Sequence, residues 1–282
     1  RLARTRQETL PVSGTLEHFL SHVGAAPFAG LRTRMISTLI RSKAMDDARL
    51  KGCLVVALDG TGWLFQEHRH CERCMTHVRG GKTFYYHKVQ EAKVIGPSGL
   101  ALSIGTEFME NADLPGDNPA PKPEQTKQDY ELQASERLSD TIKREFPRLP
   151  ICLTADSEFA CGRGVAMART HGWSFVFTFK EGRTPALWQD FLSLLDLCPE
   201  NRLTHPLPGG GRQFYRWVNG LQHEDSVGRT HTVNALICLE TIGSETTRFA
   251  WITDFNLDST NVVEVATKGG RARWRIENEG FN

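Results

Sequence analysis

Cys53-Leu54-Val55-Val56-Ala57-Leu58-Asp59 and, far downstream, Ile151-Cys152-Leu153-Thr154-Ala155-Asp156 are short apolar runs that each close on an aspartate. Such runs, bounded by turn signals, fit strands buried on both faces. An acid at the end of a buried strand is delivered to the sheet edge, where a ligand can reach it. Taken singly, either aspartate reads better as an ordinary turn residue. A third acid, Glu277, lies in Arg273-Trp274-Arg275-Ile276-Glu277-Asn278, which reads as helical. Spacing this wide suits a site assembled by the fold.

The surrounding pattern alternates strands and helices. Residues 1–50 read as a helical N-terminal segment, with Leu31, Met35, Leu39 and Ile40 on one face. After Asp59, Gly60 and Gly62 suggest a turn before Trp63-Leu64-Phe65 resumes the sheet. Stretches 84–95 and 100–108 read as a strand pair across Gly96-Pro97-Ser98-Gly99, completing a meander. The proline-rich stretch 111–128 reads as a loop, and 129–146 as a helix carrying Leu138, Ile142 and Phe146 at four-residue steps. Strands are expected at 151–155 and 174–180, with helices at 164–171 and 187–195. Two β-like runs follow at 214–218 and 232–239, then a strand at 248–254. The last stretch, 258–282, reads as helical, capped by Ser259 and broken at Gly269-Gly270. This order implies an α/β fold with a mixed sheet and flanking helices.

Composition narrows the class. At 282 residues, with 39% hydrophobic and 24% charged residues, the chain suits a folded globular protein. The net charge of +1 makes no global argument for nucleic acid. Residues 1–50 and 267–282, however, each carry twice as many basic as acidic side chains, which suits a phosphate backbone as well as a solvated face. The apolar runs are too short to span a membrane. The opening Arg1-Leu2-Ala3-Arg4-Thr5-Arg6 lacks the core of a signal peptide, so an internal piece of a longer protein is expected. Seven cysteines, mostly within apolar runs (Cys53, Cys152, Cys238), fit reduced thiols better than a disulfide framework.

The strings LVVALDGTG (54–62), KQDYE (127–131), FPRLPICLTADSEFAC (146–161), FTFKEG (177–182), WITD (251–254) and RWRIENEGFN (273–282) resemble, in order, the catalytic domain of bacterial insertion-sequence transposases of the DDE group. The resemblance covers 53–282. It implies a ribonuclease H-like catalytic domain over 51–282, with a β-rich insertion at about 205–245 ahead of the final catalytic helix. The family's three catalytic, metal-binding acids fall on Asp59, Asp156 and Glu277. Its arginine, one helical turn before the glutamate, falls on Arg273. The family's tyrosine position holds Gly270, and its lysine position falls beyond residue 282. Glu279 is the rival third acid, disfavoured by the Ile-Glu-Asn register.

The function so implied is metal-dependent nicking at transposon ends, followed by transfer of the 3′-hydroxyl to target DNA. Two Mg²⁺ or Mn²⁺ ions would be held by the carboxylates, with DNA phosphates completing their shells. Arg273 and Arg275 are expected to hold DNA, and Trp217, like Phe214, either stacks on a base or belongs to the core. The expected partners are DNA and further copies of the chain, in the cytoplasm of a bacterium near its nucleoid, with no membrane. The alternatives are a non-transposing nuclease of the same fold and an inactive DNA-binding remnant of a decayed element.

One cluster stands apart. His68, His70, Cys71, Cys74, His77 and His87 crowd together after the first strand. Cys71-Glu72-Arg73-Cys74 has the spacing of a zinc knuckle, and His77 or His70, with His87, would complete four ligands. The set Cys71, Cys74, His77 and His87 is the expected structural zinc site. The alternative is a histidine-rich loop near DNA.

Overall fold

The computed structural model describes residues 12–71, 74–109, 123–225 and 227–281. Two helices lead in, α1 (Ser13–His22) and α2 (Ala25–Arg41). A two-residue hairpin then joins β1 (Arg49–Leu50) to β2 (Cys53–Gln66). Its central residues, Lys51 (φ 50°) and Gly52 (φ 83°), both adopt the left-handed backbone that tight hairpins need. A meander follows, of β3 (Met75–Arg79), β4 (Lys82–Ile95) and β5 (Ala101–Met109). Beyond it come α3 (Pro123–Glu145), β6 (Ile151–Ala155), α4 (Gly162–Thr170), β7 (Ser174–Thr178) and α5 (Pro185–Leu197). Four more strands, β8 (Arg202–Pro206), β9 (Arg212–Glu224), β10 (Thr230–Ile242) and β11 (Glu245–Thr253), precede a helical C-terminal segment.

Among the described residues these strands form one mixed, mostly antiparallel sheet in the order β3-β4-β2-β6-β7-β11-β10-β9-β8, with β5 also on β4. Only β2, β6 and β7 run parallel, and they occupy the middle. Their apolar runs place them there, because a strand buried on both faces carries no polar side. Leu54, Val56 and Leu58 face a core shared with Ile36 of α2, Leu138 and Ile142 of α3, Val165 of α4 and Phe191 of α5. Val55 and Ala57 face the opposite core, closed by Val262, Val265, Ala266 and Ile276 of the C-terminal segment. The architecture is therefore α/β, with helices on both faces of the sheet. No described helix is long and apolar enough to cross a membrane.

Several expectations are corrected. Gly60 and Gly62 form no turn, since β2 pairs with β4 without interruption through Trp63 and, after a bulge, again at Gln66. A Cβ on Gly60 would meet Lys88 at 2.8 Å and one on Gly62 would meet Phe65 at 3.0 Å, so these glycines admit neighbouring side chains. On α2 it is Ile36, with Leu39 and Ile40, that meets the core, whereas Leu31 and Met35 are exposed. The strand-rich stretch expected at about 205–245 holds β9 and β10. They continue the main sheet through β11, which pairs with β7. Helix α3 begins within the stretch read as a loop; residues 111–122 of that loop, like 1–11 of the lead-in, lie outside the described residues.

The C-terminal segment is not broken at Gly269-Gly270 but changes its winding. It passes from α6 (Val262–Glu264) through a π-helical stretch (Val265–Gly270) and a 3₁₀ turn (Arg271–Arg273) into α7 (Trp274–Gly280). The glycines permit close packing. A Cβ on Gly269 would lie 2.7 Å from Val176, and one on Gly270 would lie 2.3 Å from the Trp251 indole. Ser259 is not the cap. The Asp258 carboxylate accepts instead from the backbone of Thr260 and Asn261, at 2.8 and 3.1 Å.

Candidate active site

Register brings the two aspartates together. β2 and β6 pair in parallel from Leu54↔Ile151 to Ala57↔Thr154. Asp59 and Asp156 each lie two residues past that last pair, so they stand side by side where the ladder ends. Alternation along both strands turns them to the face of Val55, Ala57 and Cys152, which the C-terminal segment covers. Asp59 is not at a strand end, however. It sits within β2, opposite Glu91 of β4, and only its pairing with β6 has finished.

The covering segment supplies the third acid and a cation. Arg273 places Nη1 at 3.7 Å from Asp59 Oδ2, while its Nη2 donates to Glu277 Oε1 at 2.6 Å. One guanidinium thus bridges an acid of the sheet and an acid of α7, with its side chain only 11% exposed. Asp59 Oδ1 accepts from the Gly60 N–H at 3.0 Å, and Asp156 Oδ1 accepts from the Glu158 N–H at 2.9 Å. Each aspartate therefore keeps an oxygen outside these backbone bonds.

The electrostatics record the convergence. Burial pushes the Asp59 carboxyl up to about 6, and the charges of Glu277 and Asp156 add to the rise, while Arg273 and the Gly60 N–H oppose it. A carboxylate raised by desolvation and by like charges is poised to gain from an added cation. The donors here are hard carboxylate oxygens rather than thiolates or imidazoles.

The site extends beyond the expected residues. Lys88 of β4 pairs with Glu131 of α3, both largely buried. Glu131 in turn hydrogen-bonds Glu158, whose carboxyl is raised to about 7 by burial, by that bond and by the nearby charges of Glu131 and Asp156. Lys88, Glu131 and Glu158 thus form a linked chain of charged side chains abutting Asp156. Sequence reading passed over it, although Glu131 and Glu158 lie inside two of the strings that carry the resemblance. A lysine within a strand otherwise rich in buried residues was the other available signal.

The remaining expected residues fall elsewhere. Arg275 donates to the Gly96 carbonyl and so ties α7 to the β4–β5 turn. It also lines a cleft of about 250 Å³ with Asp47, Ile95, Pro97 and Lys268. Trp217 is 4% exposed and lies in the core with Tyr215 and Trp251, so it offers no face to a base. Glu279 is directed at Gly99 in the β4–β5 turn, its carboxylate 3.4 Å from where a Cβ there would be. Glu277 therefore stands alone as the acid of α7 that Arg273 holds at this site.

Among the described residues, one histidine–cysteine group could hold a metal ion. It comprises His70, Cys71, Cys74 and His87, whose ligand atoms all lie within 4.8 Å of one another. His77 is not among them. It is exposed on β3, opposite Phe84, and His70 takes its place.

No protein-family model and no curated protein matches the chain.

Proposed function

We propose that the chain is the catalytic core of a DNA transposase of the DDE group, which nicks DNA and joins the freed 3′-hydroxyl to a target. The observation that carries this reading is the convergence of Asp59, Asp156 and Glu277 from two adjacent parallel strands and a distant helix, with Arg273 between two of them. The sheet supports it as well. An antiparallel β2-β4-β5 meander is followed by β6 and β7 added in parallel on the other edge of β2, as suits a ribonuclease H-like sheet.

In this reading Asp59, Asp156 and Glu277 hold Mg²⁺ or Mn²⁺, which when bound would sharpen the attacking oxygen and stabilise the leaving one. The chain's own residues do the rest. The β2–β6 register fixes the spacing of the two aspartates. Arg273 orients Glu277 and neutralises part of the site's charge while it is empty of DNA. The Lys88–Glu131–Glu158 cluster lessens the negative charge next to Asp156, because the lysine offsets one carboxylate and burial raises the Glu158 carboxyl. No protein nucleophile is required, so Ser157 and Cys161 have no covalent role. The thiolate–imidazole cluster takes no part in this chemistry.

The test is incubation of the protein with Mg²⁺ and labelled candidate ends. Nicked and joined products are expected, and Asp156→Ala should abolish both while DNA binding persists. Nicking without joining would favour a nuclease of the same fold. Equal nicking by wild type and Asp156→Ala would remove the acids from the mechanism, and binding without any cleavage would indicate an inactive remnant.

A further inference from the structure

The group His70, Cys71, Cys74 and His87 is spatially separate from the acids and different in chemistry. Cys71 and Cys74 stand on the connection from β2 to β3, where the Cys74 N–H donates to the Cys71 carbonyl at 3.4 Å. His70 precedes them, and His87 comes from β4, opposite Trp63 of β2. The two sulfurs are 3.5 Å apart. His87 Nε2 lies 3.3 Å from Cys71 Sγ and 3.9 Å from Cys74 Sγ. The His70 ring lies 3.5 Å from Cys74 Sγ.

These separations are close to the edges of a tetrahedron. Zinc–sulfur bonds of about 2.3 Å and zinc–nitrogen bonds of about 2.0–2.1 Å set S···S edges near ~3.8 Å and S···N edges near ~3.6 Å. The observed edges depart from those values by a few tenths of an ångström. Two independent parts of the chain, a turn and a strand, contribute to the one set.

We propose that His70, Cys71, Cys74 and His87 bind one zinc ion in a closed structural site that ties the β2–β3 connection to β4. Two thiolates and two imidazoles select a softer cation than the carboxylates at Asp59 do. Four protein ligands leave no position for water or substrate, so the site is structural. Each thiol releases a proton to solvent as its bond to zinc forms. The ion would fasten the β2–β4 ladder a few register positions beyond Asp59, stiffening the strand pair that carries that acid.

The experiment is metal titration of the full chain after chelator treatment, first with Co²⁺ and then with Zn²⁺. One ion per chain is expected, with the intense visible spectrum of tetrahedral Co²⁺ and a thiolate charge-transfer band, both lost as zinc displaces cobalt. His87→Ala and Cys71→Ser should each weaken zinc binding by more than the roughly 100-fold that loss of an outer-shell partner costs. His77→Ala should leave it unchanged. Cys71 is exposed, so its serine variant should keep the fold, which circular dichroism checks. A folded wild type that binds no zinc, a pale octahedral cobalt spectrum, or a loss in His77→Ala equal to that in His87→Ala would each overturn the assignment. Magnesium-dependent nicking is read separately and does not bear on it.

Discussion

The guanidinium of Arg273 lies 3.7 Å from the carboxylate of Asp59, although one belongs to the last turn before α7 and the other to the middle of the sheet. Its second nitrogen holds Glu277 at 2.6 Å. Without that cation three acids would face one another across a partly desolvated site.

Removing it should therefore destabilise the protein in the absence of divalent metal. Arg273→Ala is expected to cost about 1–2 kcal/mol, less than for a fully buried pair because Glu277 is partly exposed. On the proposed function the difference should shrink when Mg²⁺ is added, since a bound ion would neutralise the same acids. Urea unfolding with chelator and with Mg²⁺ measures both values. An equal loss in the two conditions would separate Arg273 from the proposed metal site.

Asp59 makes stability depend on pH. Its folded pKa, about 6, lies above the ordinary 3.8, so the folded state binds the proton more tightly than the unfolded chain. The resulting stabilisation is complete below about pH 4 and is lost as pH rises through about 6. Asp59→Asn escapes that loss. The displacement is worth about 3 kcal/mol, and forfeiting the Arg273 contact offsets part of it. A gain on the order of 1–2 kcal/mol is expected in metal-free protein at pH 7–8, vanishing near pH 4. A Tm difference that is constant between those pH values would contradict it.

Gly270 tests the packing of the C-terminal segment. A Cβ there would sit 2.3 Å from the Trp251 indole, and a buried ring cannot withdraw as a lysine tip can. Gly270→Ala should destabilise by about 2–3 kcal/mol and, by displacing the segment that carries Arg273 and Glu277, reduce Mg²⁺ affinity. An unchanged Tm would mean that the segment does not pack this closely.

Trp217 separates core from DNA contact. Trp217→Ala should cost about 3–5 kcal/mol as a large buried side chain is lost. Trp217→Phe should keep the fold, and its DNA affinity in a filter or polarisation assay should match wild type. A tenfold weaker complex with an intact fold would return the residue to the DNA surface.

Much of this was legible locally. Strand β6 falls on the stretch expected, and β4, β5 and β7 within a few residues of theirs, because fully apolar runs between turn signals have few other solutions. Gly60 and Gly62 misled, since a glycine marks a turn and a close neighbour with the same letter. The pattern of α2 also misled, because helical periodicity names a face without saying which neighbour covers it. The pairing of β11 with β7, which makes β9 and β10 part of the main sheet, is a contact between distant segments and has no local signature.

The sequence by itself determined that two buried apolar runs each lead into an aspartate and that a basic, glutamate-bearing helix lies downstream of them. Apolar runs and alternation impose those features wherever the strands are placed. Only the tertiary structure decided that Asp59 lies mid-strand, that Arg273 joins it to Glu277 while Glu279 turns away, and that His70 rather than His77 meets the two cysteines. Each of these choices depends on which strand is the neighbour and on which face the pleat presents, and that is set by packing across the whole sheet.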